Sequence, residues 1–336
     1  MFSSAVRTFT DPFPFQAAIH AADLEFFPTA GGKFRGEWTH VCMNKLSMQR
    51  FYHNLPQVVA GSMKPGRRVI SFLTSAKPIE MQHCGLDVLP GDIIVNNSEA
   101  LHQKIGGDFH FAGVSLSTDD FDAACEAIAG RQWSSTTRPN LVRPSPAVMS
   151  RLQAIHKTVG QMAQNTPDVL ALPEVVRSLE QRLIHLMVRC LTDGMFSGMT
   201  RGSHRRSTTI ARLEALLEAR PDQPFYLPEI CAAIGVGERT LRGACHEHLG
   251  MSPMRYLALR RMHLVRRALL RADPTTTTVT GVACGHGFWE LGRFAVNYRV
   301  LFGETPSTTL RRPSDDRLVA LNRPTSLISP GLSAAE

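Results

Sequence analysis

Residues 234–253 read IGVGERTLRGACHEHLGMSP, and residues 286–306 read HGFWELGRFAVNYRVLFGETP. Few letters agree, yet the landmarks do. Ile230, Cys231 and Gly235 answer to Val282, Ala283 and Gly287 at an offset of 52. Leu241, Cys245, Leu249, Gly250 and Pro253 answer to Phe294, Tyr298, Phe302, Gly303 and Pro306 at an offset of 53, so the second copy holds one more residue in its turn. In each copy a small side chain (Cys231, Ala283) lets two helices approach closely. A glycine four residues on turns the chain, and an apolar residue of the next helix closes a small core. This is the spacing of a helix-turn-helix, whose second helix enters the major groove of DNA. One copy could equally be an α-hairpin of an ordinary bundle; two copies with the same landmarks argue for a DNA-binding unit.

Charge points the same way. Residues 205–313 hold 16 Arg, no Lys and 9 acids, a net of +7 out of +8 for the whole chain. Such asymmetry suits a polyanionic partner. Between the copies, SPMRYLALRRMHLVRRALLRAD places Met254, Ala258, Met262, Val265 and Leu269 on one helical face, with Arg260, Arg267 and Arg271 opposite. Some eighteen helical residues span ~27 Å, comparable to the ~34 Å between successive major-groove faces. The segment reads as a rod that sets two recognition helices on one side of a duplex.

Working outward, residues 35–118 alternate β-like runs (LSMQRFYH, RRVISFLTS, DIIVNN, FHFAGVSLS) with the turn signals MKPGRR, LPGD and GGD. They predict an antiparallel β barrel or sandwich. Ser145 and Pro146 then cap a helix carrying Leu152, Ile155, Val159 and Met162, and a second helix carries Val175, Val176, Leu179, Leu183, Leu186, Met187 and Cys190. The expected fold is multidomain α+β, with an N-terminal antiparallel β barrel and its following helices, then an all-α domain of two helix-turn-helix motifs joined by a long helix. The expected bounds are a sensor at 1–140, a helical pair at 141–192 that could join two copies, a linker at 193–207, the DNA-binding domain at 208–313 and a disordered tail at 314–336. No apolar run approaches the ~18–20 residues of a membrane span. The N-terminus also lacks the apolar segment of a signal peptide, and the seven scattered cysteines contain no C-x-x-C pair, so a cytoplasmic protein with buried thiols is expected.

The stretches EICAAIGVGERTLRGACHEHLGMSPMRYL and VACGHGFWELGRFAVNYRVLFGETPS closely resemble the DNA-binding domain of AraC/XylS-type transcription regulators. More loosely, NLPQVVAGSMKPGRRVISFLT and LPGDIIV resemble the cupin-like sensor domains such regulators carry. The resemblance implies effector-controlled transcription, more often activation than repression. Its partners would be promoter DNA, RNA polymerase, an unknown small-molecule effector and often a second copy of the chain. It implies no cofactor.

On the first recognition helix Leu241, Ala244 and Cys245 form the inner face, and Arg239, Arg242 and His246 project outward as base readers, with Thr240 at a phosphate. The family's base-reading positions fall on Arg239, Arg242 and Gly243, where Gly replaces the usual Arg; Gly237 likewise replaces the usual Ser cap. On the second helix Arg293 and Val296 are the candidates for base edges, Val296 through a thymine methyl in place of the family's Arg. Arg293 could instead join Arg299, Arg260, Arg267 and Arg271 at phosphates. The first motif is thus expected to specify and the second to anchor.

Effector candidates come from strand alternation. Leu46, Met48, Arg50 and Tyr52 share one face, from which Arg50 either pairs an anionic ligand or stands in solvent; Trp38, Phe72 and His102 complete the set. A metal-dependent cupin enzyme fused to a DNA-binding module is the alternative. It would need an H-x-H pair with a following Glu, which His83, His102 and His110 do not supply. No catalytic or metal-binding residue is assigned.

Overall fold

Extended runs dominate the chain up to Ser117, and helical periods take over after it. The computed structural model describes residues 2–19, 22–75, 77, 79–96, 100–130, 140–197, 201–220 and 223–312. The tail expected to be disordered, 314–336, lies outside them. The first part runs β1 (Ser3–Phe9), α1 (Pro12–Ala17), β2 (Ala22–Pro28), β3 (Gly36–Cys42), β4 (Ser47–His53), β5 (Gln57–Met63), β6 (Arg67–Leu73), β7 (Met81–His83), β8 (Leu86–Asp87), β9 (Ile93–Asn96), β10 (Ala100–Ile105) and β11 (Phe109–Ser117). Then follow α2 (Thr118–Ala129), β12 (Asn140–Arg143), α3 (Pro146–Asn165), α4 (Pro167–Leu170), α5 (Pro173–Thr192) and β13 (Met195–Ser197).

These strands make two sheets with antiparallel pairings, ordered β1-β3-β4-β11-β6-β9-β12-β13 and β2-β5-β10-β7-β8. Among the described residues no strand of one sheet pairs with the other, so the expected β domain is a two-sheet sandwich and not a closed barrel. One apolar core lies between the sheets, with Phe15, Phe26, Val59, Leu73 and Phe109. A second lies outside the larger sheet, where α2, α3 and α5 cover Met48, Ile70, Phe72 and Val114.

That second core corrects two expectations. Leu183 and Met187, on the helical pair that could join two copies, are fully buried in this core and not available to a second subunit. A single helix on a sheet uses its apolar stripe once, and the stripe of α5 is used within the chain. The linker expected at 193–207 contains β13, which pairs with β12, and the first residues of α6 (Arg201–Ala219). Its first turn is polar, so periodicity starts only at Ile210, Leu213 and Leu217.

The remaining helices are α7 (Leu227–Ile234), α8 (Glu238–Leu249), α9 (Pro253–Arg271), α10 (Val279–Gly285), α11 (Leu291–Phe302) and α12 (Pro306–Leu310). They build two small cores strung along α9. Tyr256 and Leu257 at its start join Ile210, Ile230, Leu241 and Cys245, while Met262, Val265 and Leu269 at its end join Ala283, Phe294 and Tyr298. Nineteen residues make α9 ~28 Å long. The first of these cores does not close on itself. Phe27, Val58 and Ala60, on the outer face of the smaller sheet, belong to the same cluster, so the helical half is seated on the β domain.

Candidate nucleic-acid interface and effector chamber

Each motif turns where the repeated glycines stand. Gly235 ends α7 and Gly250 ends α8 with φ of +69° each, and Gly303 ends α11 at +71°; only glycine adopts this left-handed cap without strain. The turn holds α8 by the burial of Leu241, Ala244 and Cys245, which leaves Arg239, Thr240, Arg242, Gly243 and His246 exposed on the opposite face. Gly237 is the N-cap, without a side-chain bond, and Glu238 sits in the first turn. There its Oε1 accepts from Arg242 Nε at 2.8 Å. On α11 the buried side is Phe294 and Tyr298, whose hydroxyl donates to Thr309 Oγ1 at 2.8 Å. Arg293, Val296 and Arg299 are exposed. Val300, read from the sequence as outward-facing, is 70% exposed, and Trp289, which sequence reasoning missed, is 74% exposed just before α11.

The long helix departs from expectation. Arg271 is exposed, but Arg260 and Arg267 are not free for phosphates, because their side of α9 lies on the β domain. Arg260 Nη1 is 3.1 Å from both Glu25 Oε2 and Glu214 Oε2, and Arg267 Nη1 is 2.6 Å from Glu25 Oε1. Arg266 pairs with Asp11, and His263 Nε2 donates to Pro28 O at 3.2 Å. These bonds consume charge that α9 would otherwise present to solvent, and an arginine stripe opposite an apolar one gives no hint of it. Met254 also differs, standing 40% exposed where the apolar face was expected. Burial pushes the Glu214 carboxyl up to about 7, against the pull of Arg260.

A further contact reaches the recognition helix itself. His102 on β10 and His248 on α8 face each other with Nε2 and Nδ1 2.6 Å apart, both rings buried. A Cβ on Gly85 would lie 2.4 Å from the His248 ring, so the approach there requires glycine. Burial holds both histidines below their ordinary range. His83 bonds Gln103 Nε2 at 3.0 Å and His110 lies against Tyr52, so the histidines considered for a metal do not converge. Among the described residues no group of three or more His, Cys, Asp or Glu side chains could hold a metal ion.

Between the sheets is a chamber of about 80 Å³, lined among others by Gln49, Phe51, His53, Gln57, Asn96 and Gln103. None of the six effector candidates lines it. Met48 and Phe72 face α3 and α5, and Arg50 Nη1 lies 3.3 Å from His156 Nδ1 on α3. Tyr52 bonds Asp108 at the surface, and His102 faces α8. Trp38 comes nearest in role, its Nε1 donating to Gln49 Oε1 at 3.0 Å. Alternation places residues on one face without saying which face is inward. With helices on one side of the sheet and a chamber on the other, the more apolar face of β4 is the helix-covered one.

A profile described as a helix-turn-helix domain matches residues 230–312. The probable thc operon regulatory protein of Rhodococcus erythropolis is 34% identical over 155 residues, which cover 44% of this chain and 45% of that protein. XylDLEGF operon transcriptional activator 3 of Pseudomonas putida is 34% identical over 229 residues, 66% of each chain. The chain thus spans between about half and two thirds of the length of these curated relatives. Among solved structures, the AraC-like transcriptional activator CuxR overlays on 79% of this chain and 94% of its own, with a TM-score of 0.41 and 11% identity. No helix among the described residues is long and apolar enough to cross a membrane.

Proposed function

Because this chain belongs to the AraC/XylS family of transcription regulators, we propose that it binds promoter DNA through two recognition helices and activates transcription with RNA polymerase. A small molecule in the β domain controls it. The observation that carries the proposal is the pair of exposed helix faces, Arg239, Arg242 and His246 on α8 and Arg293, Val296 and Arg299 on α11, held at the two ends of one rod. Arg239 and Arg242 read bases, Thr240 and Arg299 hold phosphates, and Val296 meets a thymine methyl. The proposal of activation draws on relatives named as activators.

Control runs through β10. Gln103 lines the chamber, while His102, one residue earlier on the opposite face, touches α8. An effector shifts the protein only as far as it prefers one placement of that strand over another.

The test is promoter binding by the full-length chain over a range of salt, with Arg239→Ala, Arg242→Ala and Arg299→Ala. Arg239→Ala and Arg242→Ala should lose ~1–3 kcal/mol of discrimination at particular base pairs. Arg299→Ala should weaken binding to all sequences and lower the salt slope by about 1. If all three variants weaken specific and nonspecific binding alike, the division into base readers and anchors fails.

A further inference from the structure

Among the described residues, the lining of the chamber between the sheets contains no Asp, Glu, Lys or Arg. An ion placed there would lose its hydration with no counter-charge, a cost of several kcal/mol. Arg67, outside the lining, donates to the Ser115 carbonyl and hydroxyl at 3.0 Å each. Among the described residues, the titratable side chain in the lining is His53, which burial holds at about 4, so the ring is neutral at pH 7.

That neutrality determines what the neighbouring amide offers. His53 Nδ1 donates to Leu55 O at 3.0 Å, which leaves the lone pair on Nε2. Gln57 Nε2 lies 3.0 Å from it and must be the donor. The Gln57 amide is thereby oriented, and its Oε1 is buried without a partner. Across the chamber Asn96 Nδ2 donates to Ser71 Oγ at 2.9 Å, and Asn96 Oδ1 is likewise buried and unpartnered. Gln57 is 1% exposed and Asn96 3%. Two unsatisfied acceptors in a wall that also holds Phe15, Phe26, Phe51, Phe109 and Phe111 await donors, not a carboxylate.

Resting on the reading of this chamber as the effector site, we infer that the effector is an uncharged, ring-sized apolar molecule that carries a hydrogen-bond donor, received by Gln57 and Asn96. The chamber is small. An engineered cavity of ~150 Å³ takes benzene, so a ring requires flexible lining such as Met63 to shift.

The experiment uses the full-length chain at pH 7.5 and six probes of similar size. Phenol and benzamide are neutral donors, toluene and anisole lack a donor, and benzoate and benzylammonium are charged. Thermal unfolding and tryptophan fluorescence report binding, the latter because Trp38 bonds the lining residue Gln49. Phenol and benzamide should bind about tenfold more tightly than toluene, anisole or either ion. In Gln57→Met, which keeps length and apolar volume, the preference over toluene should shrink to about twofold while toluene binding is kept. Asn96→Leu serves if Gln57→Met does not fold. Ions binding as well as the neutral donors, or toluene matching phenol in the unaltered chain, would overturn the inferred ligand class and leave the chamber as the effector site. If no probe binds while the chain still binds its promoter, the chamber loses its role and this inference falls with it, leaving the DNA-binding part of the proposal standing.

Discussion

His102 Nε2 lies 2.6 Å from His248 Nδ1, a hydrogen bond between β10 of the β domain and the inner face of α8. Each ring is buried and held below the usual histidine range, so the pair shares one proton between two neutral imidazoles. Replacing His102 with Phe keeps a ring there and strands a buried nitrogen of His248. The full-length variant should lose ~1–3 kcal/mol in urea unfolding. Unchanged stability would mean that the pair is not a strut between the two halves.

Acid should destabilise the protein early. Burial pushes His53 and His83 down to about 4, and His156 and His263 to about 3. In the unfolded chain each titrates near 6.5. Their contribution is fully present above pH 6.5 and is lost as pH falls towards the folded values, since the unfolded chain then takes up protons that the native state refuses. Each contributes a slope of ~1.4 kcal/mol per pH unit in that window. Glu214, raised to about 7 from 4.5, and Glu218, also raised by burial, work in the opposite sense, two groups against these four and the lowered His102 and His248. The urea midpoint should therefore drop steeply between pH 6.5 and 4; a flat profile would show these rings to be accessible to protons.

Glu25 carries the contact between β2 and the long helix, receiving both Arg260 and Arg267. Glu25→Gln takes the carboxylate from Arg267 and leaves Arg260 with Glu214 alone, and breaking such buried pairs costs ~3–5 kcal/mol. Unfolding of the full chain measures it. A loss below about 1 kcal/mol, the value of an exposed pair, would mean the domains are not held together there.

Gly243 stands in the middle of α8 on its exposed face, and a Cβ added to it meets nothing within 4 Å. Gly243→Ala should raise stability by up to ~1 kcal/mol through helix propensity alone. A destabilised variant would reveal a contact that this open space does not contain.

Glu238 holds Arg242 on the surface of α8 and adds a negative charge where phosphates would lie. Glu238→Gln should raise promoter affinity by about two- to fivefold, since an exposed pair is worth less than about 1 kcal/mol. The gain should be larger at low salt. Weaker binding would make Glu238 itself a DNA contact, accepting from a cytosine amino group.

Much of the DNA-binding half was legible in the sequence, because its landmarks obey local rules. Glycine at a left-handed cap, a small residue at a helix crossing and apolar residues at helical spacing need no knowledge of distant chain. Hence Leu241, Ala244, Cys245, Phe294 and Tyr298 are buried as read, and Arg239, Arg242 and Arg299 are exposed. The helices at Pro146–Asn165 and Pro173–Thr192 follow from the same period. What only the tertiary structure decided is which surface each face meets. Arg260 and Arg267 look like solvated charges until Glu25, more than two hundred residues away, is folded against them. Leu183 and Met187 look spare until the sheet covers them. Met48 and Phe72 look like a ligand pocket, and Gln57 and Asn96 do not, until the helices settle on one side of a sheet whose two faces alternate identically. Periodicity determines that a face exists; long-range packing alone determines what lies against it.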